Sequence, residues 1–367
     1  MDECVNIIGG GTAGLIAAKH LARSGINTVV HEKKHRLDAP ISASGIISIK
    51  GLESLGIGYS MAVTNTLTGA RLHAGRKTMK VSSKAPIAHV LDRKALNAIC
   101  FEEAASAGAD IRLGARIGGR ELDGFSKAGI VIGADGAVSS VASHFSMGRM
   151  SGMLLTYKAV YETPVEDVGL VDLYFDNTAY KGLFAWTCPN AEDRLEVGVG
   201  IDQRFGNGKQ AFDNFIGSKA MSDVVGGLKP IEEGASIIPT GLRESIVDAE
   251  RRVLLVGDAA GQIKATTGGG IVFGGNAAIM AAEAIVRHIN DGGSLLEYRR
   301  VFMKRFGADI GLHKMLRSFY SRSGNRGLEL AFGLMEMFGM SSFLGKYGDM
   351  DMPTVILKRL VLRGLVD

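Results

Sequence analysis

The sequence predicts an α/β protein in which a parallel sheet with crossover helices is joined to an antiparallel sheet and a helical C-terminal segment. Three observations predict it. The first thirty residues run strand, glycine-rich turn, helix, strand; residues 150–241 alternate apolar and polar side chains with period two; and from residue 296 onward the composition is helical. At 367 residues the chain has room for two domains. Hydrophobic residues make up 46% and charged residues 22%, which excludes wholesale disorder.

Val5–Ile8 reads as a short apolar strand, Gly9-x-Gly11-x-x-Gly14 as the turn after it, and Leu15–Arg23 as a helix ending before Gly25. Asn27–His31 reads as a second strand closing on Glu32. In such a βαβ unit the first glycine makes the tight turn, the second lets a pyrophosphate approach the backbone, and the third seats helix on strand. The helix N-terminus then turns free N–H groups and its positive dipole end to the phosphates. Glu32, 18 positions after Gly14, is placed to accept hydrogen bonds from an adenosine ribose that carries no 2′-phosphate.

Residues 56–86 contribute further strands, and Arg93–Ala107 returns the chain as a helix. On its residues alone, Arg93 reads as a solvated charge at that helix start. Asp135, in ADG, reads as a structural turn residue rather than a catalytic acid. GMLLTYKAVYETPV, GLVDLYFDN, GLFAWTCPN and RLEVGVGID supply the period-two texture of the antiparallel sheet. Phe184 and Trp186 alternate on one strand and read equally as sheet core and as the wall of an apolar channel.

RRVLLVGDAAGQ supplies a strand, Val253–Val256, that ends on Gly257-Asp258, and TGGGI then opens a long apolar helix. This second strand end separates two cofactors. NAD needs one glycine turn, whereas FAD carries a ribityl chain and an isoalloxazine ring beyond its pyrophosphate and needs a second strand end and helix N-terminus. Asp258 can accept from ribityl hydroxyls, and N–H groups at Gly269, Gly270 and Ile271 can face the ring's pyrimidine edge. The cofactor expected is FAD. With one GxGxxG in the chain, electrons are expected from a transient external donor: ferredoxin, NAD(P)H or another carrier.

The C-terminal segment holds 12 Lys/Arg against 7 Asp/Glu from Glu297 onward, interleaved with Phe, Met and Leu. It reads equally as a packing element and as a surface that touches anionic lipid headgroups. Nucleic acid is not an expected partner, because net charge is only +4 and no recognition motif accompanies it. Three cysteines without a CxxC pair indicate neither a disulfide framework nor a dithiol centre. The histidines lack metal spacing, and neither HExxH nor GxSxG occurs, so no metal is expected. No apolar run reaches the roughly 18 residues of a membrane span, and no signal core opens the chain. A cytoplasmic protein is expected, with peripheral membrane contact through the basic segment.

GGGTAG at 9–14, VLDRKAL at 90–96, IGADGAVSS at 132–140 and VGDAAGQIKATTGGGI at 256–271 follow one another over nearly three hundred residues. In these pieces the chain resembles the FAD-dependent oxidoreductases of the hydroxybenzoate hydroxylase and glutathione reductase type, and within them the geranylgeranyl reductase family, digeranylgeranylglycerophospholipid reductases included. The resemblance implies a Rossmann-like FAD-binding domain in three pieces (1–55, 87–150, 245–295), an antiparallel-sheet substrate domain (56–86, 151–244) and a helical basic segment (296–367). It implies saturation of isoprenoid C=C bonds in archaeal membrane lipid precursors, with hydride from N5 of reduced flavin and a polyprenyl lipid as substrate. For the cofactor it implies Gly9, Gly11, Ala13, Gly14, Glu32 and Lys33 at pyrophosphate and ribose, and Arg93 at the phosphates or ribityl. Ile117 would then lie at the adenine, Ala43, Ser44 and Ile46 beside the ring, and Asp258, Gly269, Gly270 and Ile271 at the flavin end.

Phe184-Ala185-Trp186-Thr187-Cys188-Pro189 resembles the family's YxWxFP motif, with Phe for Tyr and Cys for the second Phe; it implies Phe184, Trp186 and Pro189 at the substrate. A second departure is that Ala43 stands where the family often has cysteine, leaving the proton donor unassigned. Two other readings fit the same motifs: a flavin monooxygenase, and an electron-transfer flavoprotein that reduces quinone.

Overall fold

The computed structural model describes residues 3–36 and 44–364; Ala43 lies outside them. Six strands form one sheet in the order Val247–Asp248, Val253–Leu255, Ile130–Gly133, Val5–Ile8, Thr28–Glu32, Asp110–Leu113, and all neighbours run parallel except the first pair. Val5–Ile8 at its centre is buried on both faces, as its unbroken apolar run requires.

The first helix, Thr12–Arg23, begins three residues earlier than the periodicity indicates, directly on the glycine turn. It packs on the long helix Ile271–Asp291. The approach is close: a β-carbon on Gly275 would stand 2.6 Å from Leu55 and 3.1 Å from Ile16. Lys19 of the first helix is buried, donating to the Gly56 carbonyl at 2.6 Å and pairing with Glu103 at 2.9 Å, which ties this helix to Arg93–Ser106.

Seven strands form a second sheet, ordered Glu232–Pro239, Met153–Glu162, Arg194–Asp202, Ala185–Ala191, Leu170–Phe175, Gly69–Ala74, Lys77–Ser82. It departs from the fully antiparallel expectation at one place. Leu170–Phe175 and Gly69–Ala74 pair parallel, because Gly69–Ala74 arrives from the other side of the chain rather than through a hairpin. Val63–Leu67 joins neither large sheet; with Ile46–Ser48 and Ala88–Leu91 it makes a three-stranded sheet that spans the limits at 55/56 and 86/87. Two amphipathic helices, Gly208–Ile216 and Lys219–Val225, interrupt the strand texture and bury Phe212, Phe215, Met221 and Val225 against the large sheet.

Beyond residue 295 the chain is helical: Leu296–Arg322, Asn325–Met337, Met340–Tyr347 and Pro353–Gly364. The first of these is part of the main core. Tyr298, Phe302 and Phe306 are among the largest fully buried side chains, each contributing about 2–3 kcal/mol of burial. Its C-terminal half exposes Met315, Leu316 and Phe319.

Candidate functional site

Two helix N-termini meet at one cavity. The helix Thr12–Arg23 is preceded by Gly11 and Ile271–Asp291 by Gly270, and neither has a side chain capping its first turn. Their free N–H groups face the same space, of about 400 Å³, which Gly11, Ala13, Gly269, Gly270 and Ile271 line.

The glycine turn is shaped for this. Gly9 has φ +110°, and a β-carbon there would lie 2.4 Å from the Ala134 carbonyl; one on Gly14 would lie 2.1 Å from Gly9 O. Gly11, by contrast, has nothing within 4 Å of such a carbon, so its bareness leaves room at the helix start. Gly10 is held from both sides, its N–H donating to Glu32 Oε2 at 2.7 Å and its carbonyl accepting from Asn97 Nδ2 at 3.3 Å. Glu32 also accepts from the Lys34 N–H at 2.8 Å, and each carboxylate oxygen keeps a lone pair for a further donor.

Among the described residues three charged side chains line the cavity: Arg93, Asp258 and Lys264. Burial pushes the Asp258 carboxyl up while the Arg93 guanidinium pulls it down; burial lowers Arg93 while Asp258 opposes. Asp258 leans on Gly270, where a β-carbon would come within 2.8 Å of Oδ1. Ser44 and Ile46 also line the cavity.

At the other end the lining turns apolar, with Val171, Leu173, Leu183, Phe184, Trp186 and Ile238. Phe184 and Trp186 stand edge to face, centroids 6.4 Å apart. The Trp186 indole N–H donates to Glu196 at 2.9 Å, and Glu196 is paired with Lys158 at 2.8 Å, so neighbouring strands of the same sheet hold the indole in place.

The remaining residues singled out by sequence stand off this cavity. Lys33 is exposed just past Glu32, and Ile117 is half-buried after Asp110–Leu113, the edge strand whose exit is tied to Glu32 by the Ala115 N–H at 2.9 Å. Pro189 is buried in its strand, its carbonyl accepting from Asn65 Nδ2 at 2.8 Å. Asp135 caps the helix Ser140–His144, accepting from the Ser140 and Val141 N–H groups at 2.7 and 3.1 Å. Sequence reasoning missed Lys264, whose only signal is a lone cation among small residues, and Gln262, whose Oε1 accepts the Gly257 N–H at 2.8 Å and fixes the turn before Asp258.

The pattern of the FAD binding domain family matches residues 2–297. The chain belongs to the FAD binding domain family. It is an FAD-dependent oxidoreductase, and the residues present fit that cofactor: two uncapped helix N-termini converge, Gly11 leaves a cradle, and among the described residues Arg93 Nε and Ser44 Oγ are buried at the cavity without a hydrogen-bond partner. This flavoprotein is 28% identical over 343 residues to digeranylgeranylglycerophospholipid reductase 1 of Methanothermobacter thermautotrophicus, covering 86% of each chain. It is 29% identical to the digeranylgeranylglycerophospholipid reductase of Methanosarcina acetivorans, covering 91% of this chain and 88% of that one. Among solved structures, a geranylgeranyl bacteriochlorophyll reductase-like protein from Thermoplasma acidophilum superposes with a TM-score of 0.78 at 20% identity, over 97% of this chain and 95% of the other. That last likeness is one of fold.

Proposed function

We propose that this flavoprotein saturates isoprenoid C=C bonds of geranylgeranyl chains in membrane lipid precursors. The observation that carries the reading is the two-ended cavity, polar where Arg93 and Asp258 stand and apolar where Phe184, Trp186, Leu173 and Ile238 stand. A polyprenyl chain has no polar handle beyond its headgroup, so an apolar wall of fixed shape is what can recognise it. The names of the two methanogen relatives support the same substrate class.

Reduced FAD, when bound, supplies the hydride. The chain's own residues orient and exclude water: the N–H groups at Thr12 and Ala13 hold the pyrophosphate, Arg93 neutralises it, Asp258 accepts from the ribityl chain, and the Phe184–Trp186 wall lays the isoprenoid along the site. Electrons arrive from an external donor. The lipid reaches the site from a membrane surface, against which the exposed Phe319, Leu330, Met337 and Phe338 pack beside Arg322 and Arg326. Among the described residues no helix is long and apolar enough to cross a membrane.

An anaerobic single turnover tests the reading. The bound FAD is reduced chemically, digeranylgeranylglycerophospholipid is added, and flavin absorbance and lipid mass are followed together. Reoxidation matched by gain of hydrogen pairs is expected. A flavin that stays reduced until oxygen or quinone is admitted overturns the proposal.

A further inference from the structure

Among the described residues, Lys264 is the one charge at the cavity that the contacts proposed above leave unused. It sits on the loop between Asp258 and the glycine run, and that loop is closed on itself: the Lys264 N–H donates to Gly269 O at 3.0 Å and the Gly268 N–H to Lys264 O at 2.8 Å. The side chain then crosses Gly269 so closely that a β-carbon there would stand 2.7 Å from Cε and 3.2 Å from Nζ. The ammonium is therefore held at the turn that starts the helix Ile271–Asp291.

Behind it stands Asp351, from the loop before the last helix. Nζ and Oδ1 are 2.7 Å apart, and the two side chains are 5% and 7% exposed. The other Asp351 oxygen accepts from the Ser48 hydroxyl, whose oxygen in turn accepts the Gly51 N–H at 3.0 Å. The Asp351 carbonyl meets His313 Nε2 at 3.1 Å, and His313 Nδ1 pairs with Thr266 Oγ1 at 2.7 Å. Lys264 lines the cavity and Asp351 does not, so the pair presents its positive end to the site.

Stability alone does not explain such a pair. Two buried ions each cost several kcal/mol of desolvation, and well-packed apolar residues of similar volume would commonly serve as well or better. A fixed cation in a low-dielectric site does something apolar residues cannot: it favours whichever state of a neighbouring group is more negative, with no reorganisation.

We propose that Lys264 is the positioning cation of the flavin end, set at Gly269 by Asp351 so that it favours the negative charge FAD gains on two-electron reduction. The helix N-terminus at Gly270 acts in the same direction. The pair makes the cofactor easier to reduce, and Asp351 sets how much.

The test is the midpoint potential of bound FAD, read by equilibration with a reference dye in the absence of any lipid. The inference rests on the FAD site and not on the substrate, so its failure leaves the isoprenoid reading standing, and a failed lipid turnover leaves this one standing. Lys264→Met is expected to lower the potential and Asp351→Asn to raise it, while Lys264→Arg stays near wild type. A merely structural pair predicts instead that both neutral variants lower the unfolding midpoint and leave the potential unmoved, or move it in one direction. If a single variant does not fold, Lys264→Met combined with Asp351→Asn, which leaves no unpaired buried charge, decides. Its potential is expected below wild type, because the nearer charge has gone; a potential equal to wild type overturns the proposal.

Discussion

Gln262 Nε2 lies 2.6 Å from the phenol oxygen of Tyr298, and both residues are fully buried. The phenol passes a hydrogen bond on to the Leu255 carbonyl at 2.8 Å, so the helix Leu296–Arg322 holds the strand end and turn that present Asp258. Burial pushes the Tyr298 hydroxyl up, which favours its neutral, donating form. Tyr298→Phe strands one buried acceptor and one buried donor and is expected to cost about 1–3 kcal/mol. Urea unfolding with FAD removed measures that loss, and FAD titration should show weaker retention as well.

Gly198 lies opposite Trp186 in the antiparallel pair, where a β-carbon would stand 2.1 Å from the indole Cζ2. Gly198→Val must therefore displace the ring. Trp186 is the only tryptophan, so its fluorescence reports the change directly. A red-shifted emission is expected, with weaker binding of a polyprenyl lipid and FAD affinity retained. Loss of FAD alongside would show that the wall and the cofactor end are not separable.

Lys158 and Glu196, 8% and 2% exposed, form a buried ion pair whose acid also accepts from Trp186. Lys158→Met leaves that carboxylate unpaired and is expected to cost about 3–5 kcal/mol by chemical denaturation. Lys158→Met with Glu196→Gln should recover much of the loss.

His313 titrates below an ordinary histidine because burial penalises its charged form, against the bond to the Asp351 carbonyl, which favours it. The fold thus prefers the neutral ring. Its contribution is complete above the unfolded pKa of roughly 6.5 and is lost as pH falls through the lower folded value. Asp351 is also held low, burial raising it but Lys264 and Ser48 outweighing that, so its contribution persists to lower pH still. Between pH 7.5 and 5 the unfolding midpoint should therefore fall more steeply in wild type than in His313→Gln.

What the sequence could reveal depended on how local the physical demand was. A pyrophosphate turn needs bare backbone within six residues, and Gly9, Gly11 and Gly14 spell it out; Asp258 and Gly270 are legible for the same reason. The parallel pairing of Leu170–Phe175 with Gly69–Ala74 has no local signature, because either strand would alternate identically against any neighbour. The helix Gly208–Ile216 was hidden in a stretch read by its strands, although Asn207 caps it by accepting from Lys209 and Gln210. Lys264 and Asp351 lie 87 residues apart, and only the folded C-terminal segment brings acid to base.

The order of strands in the six-stranded sheet also bears on how the protein is made. Val253–Leu255 closes that sheet beside Ile130–Gly133, and Ile271–Asp291 supplies the second helix N-terminus, yet all of the seven-stranded sheet is encoded before them. On the ribosome, the glycine turn emerges well before Val253 and must wait until the chain has passed residue 271 before its cavity has a second wall. Capture of the cofactor is thus a late event in synthesis, and a chain truncated before Val253 would carry the dinucleotide motif without the means to keep what it binds.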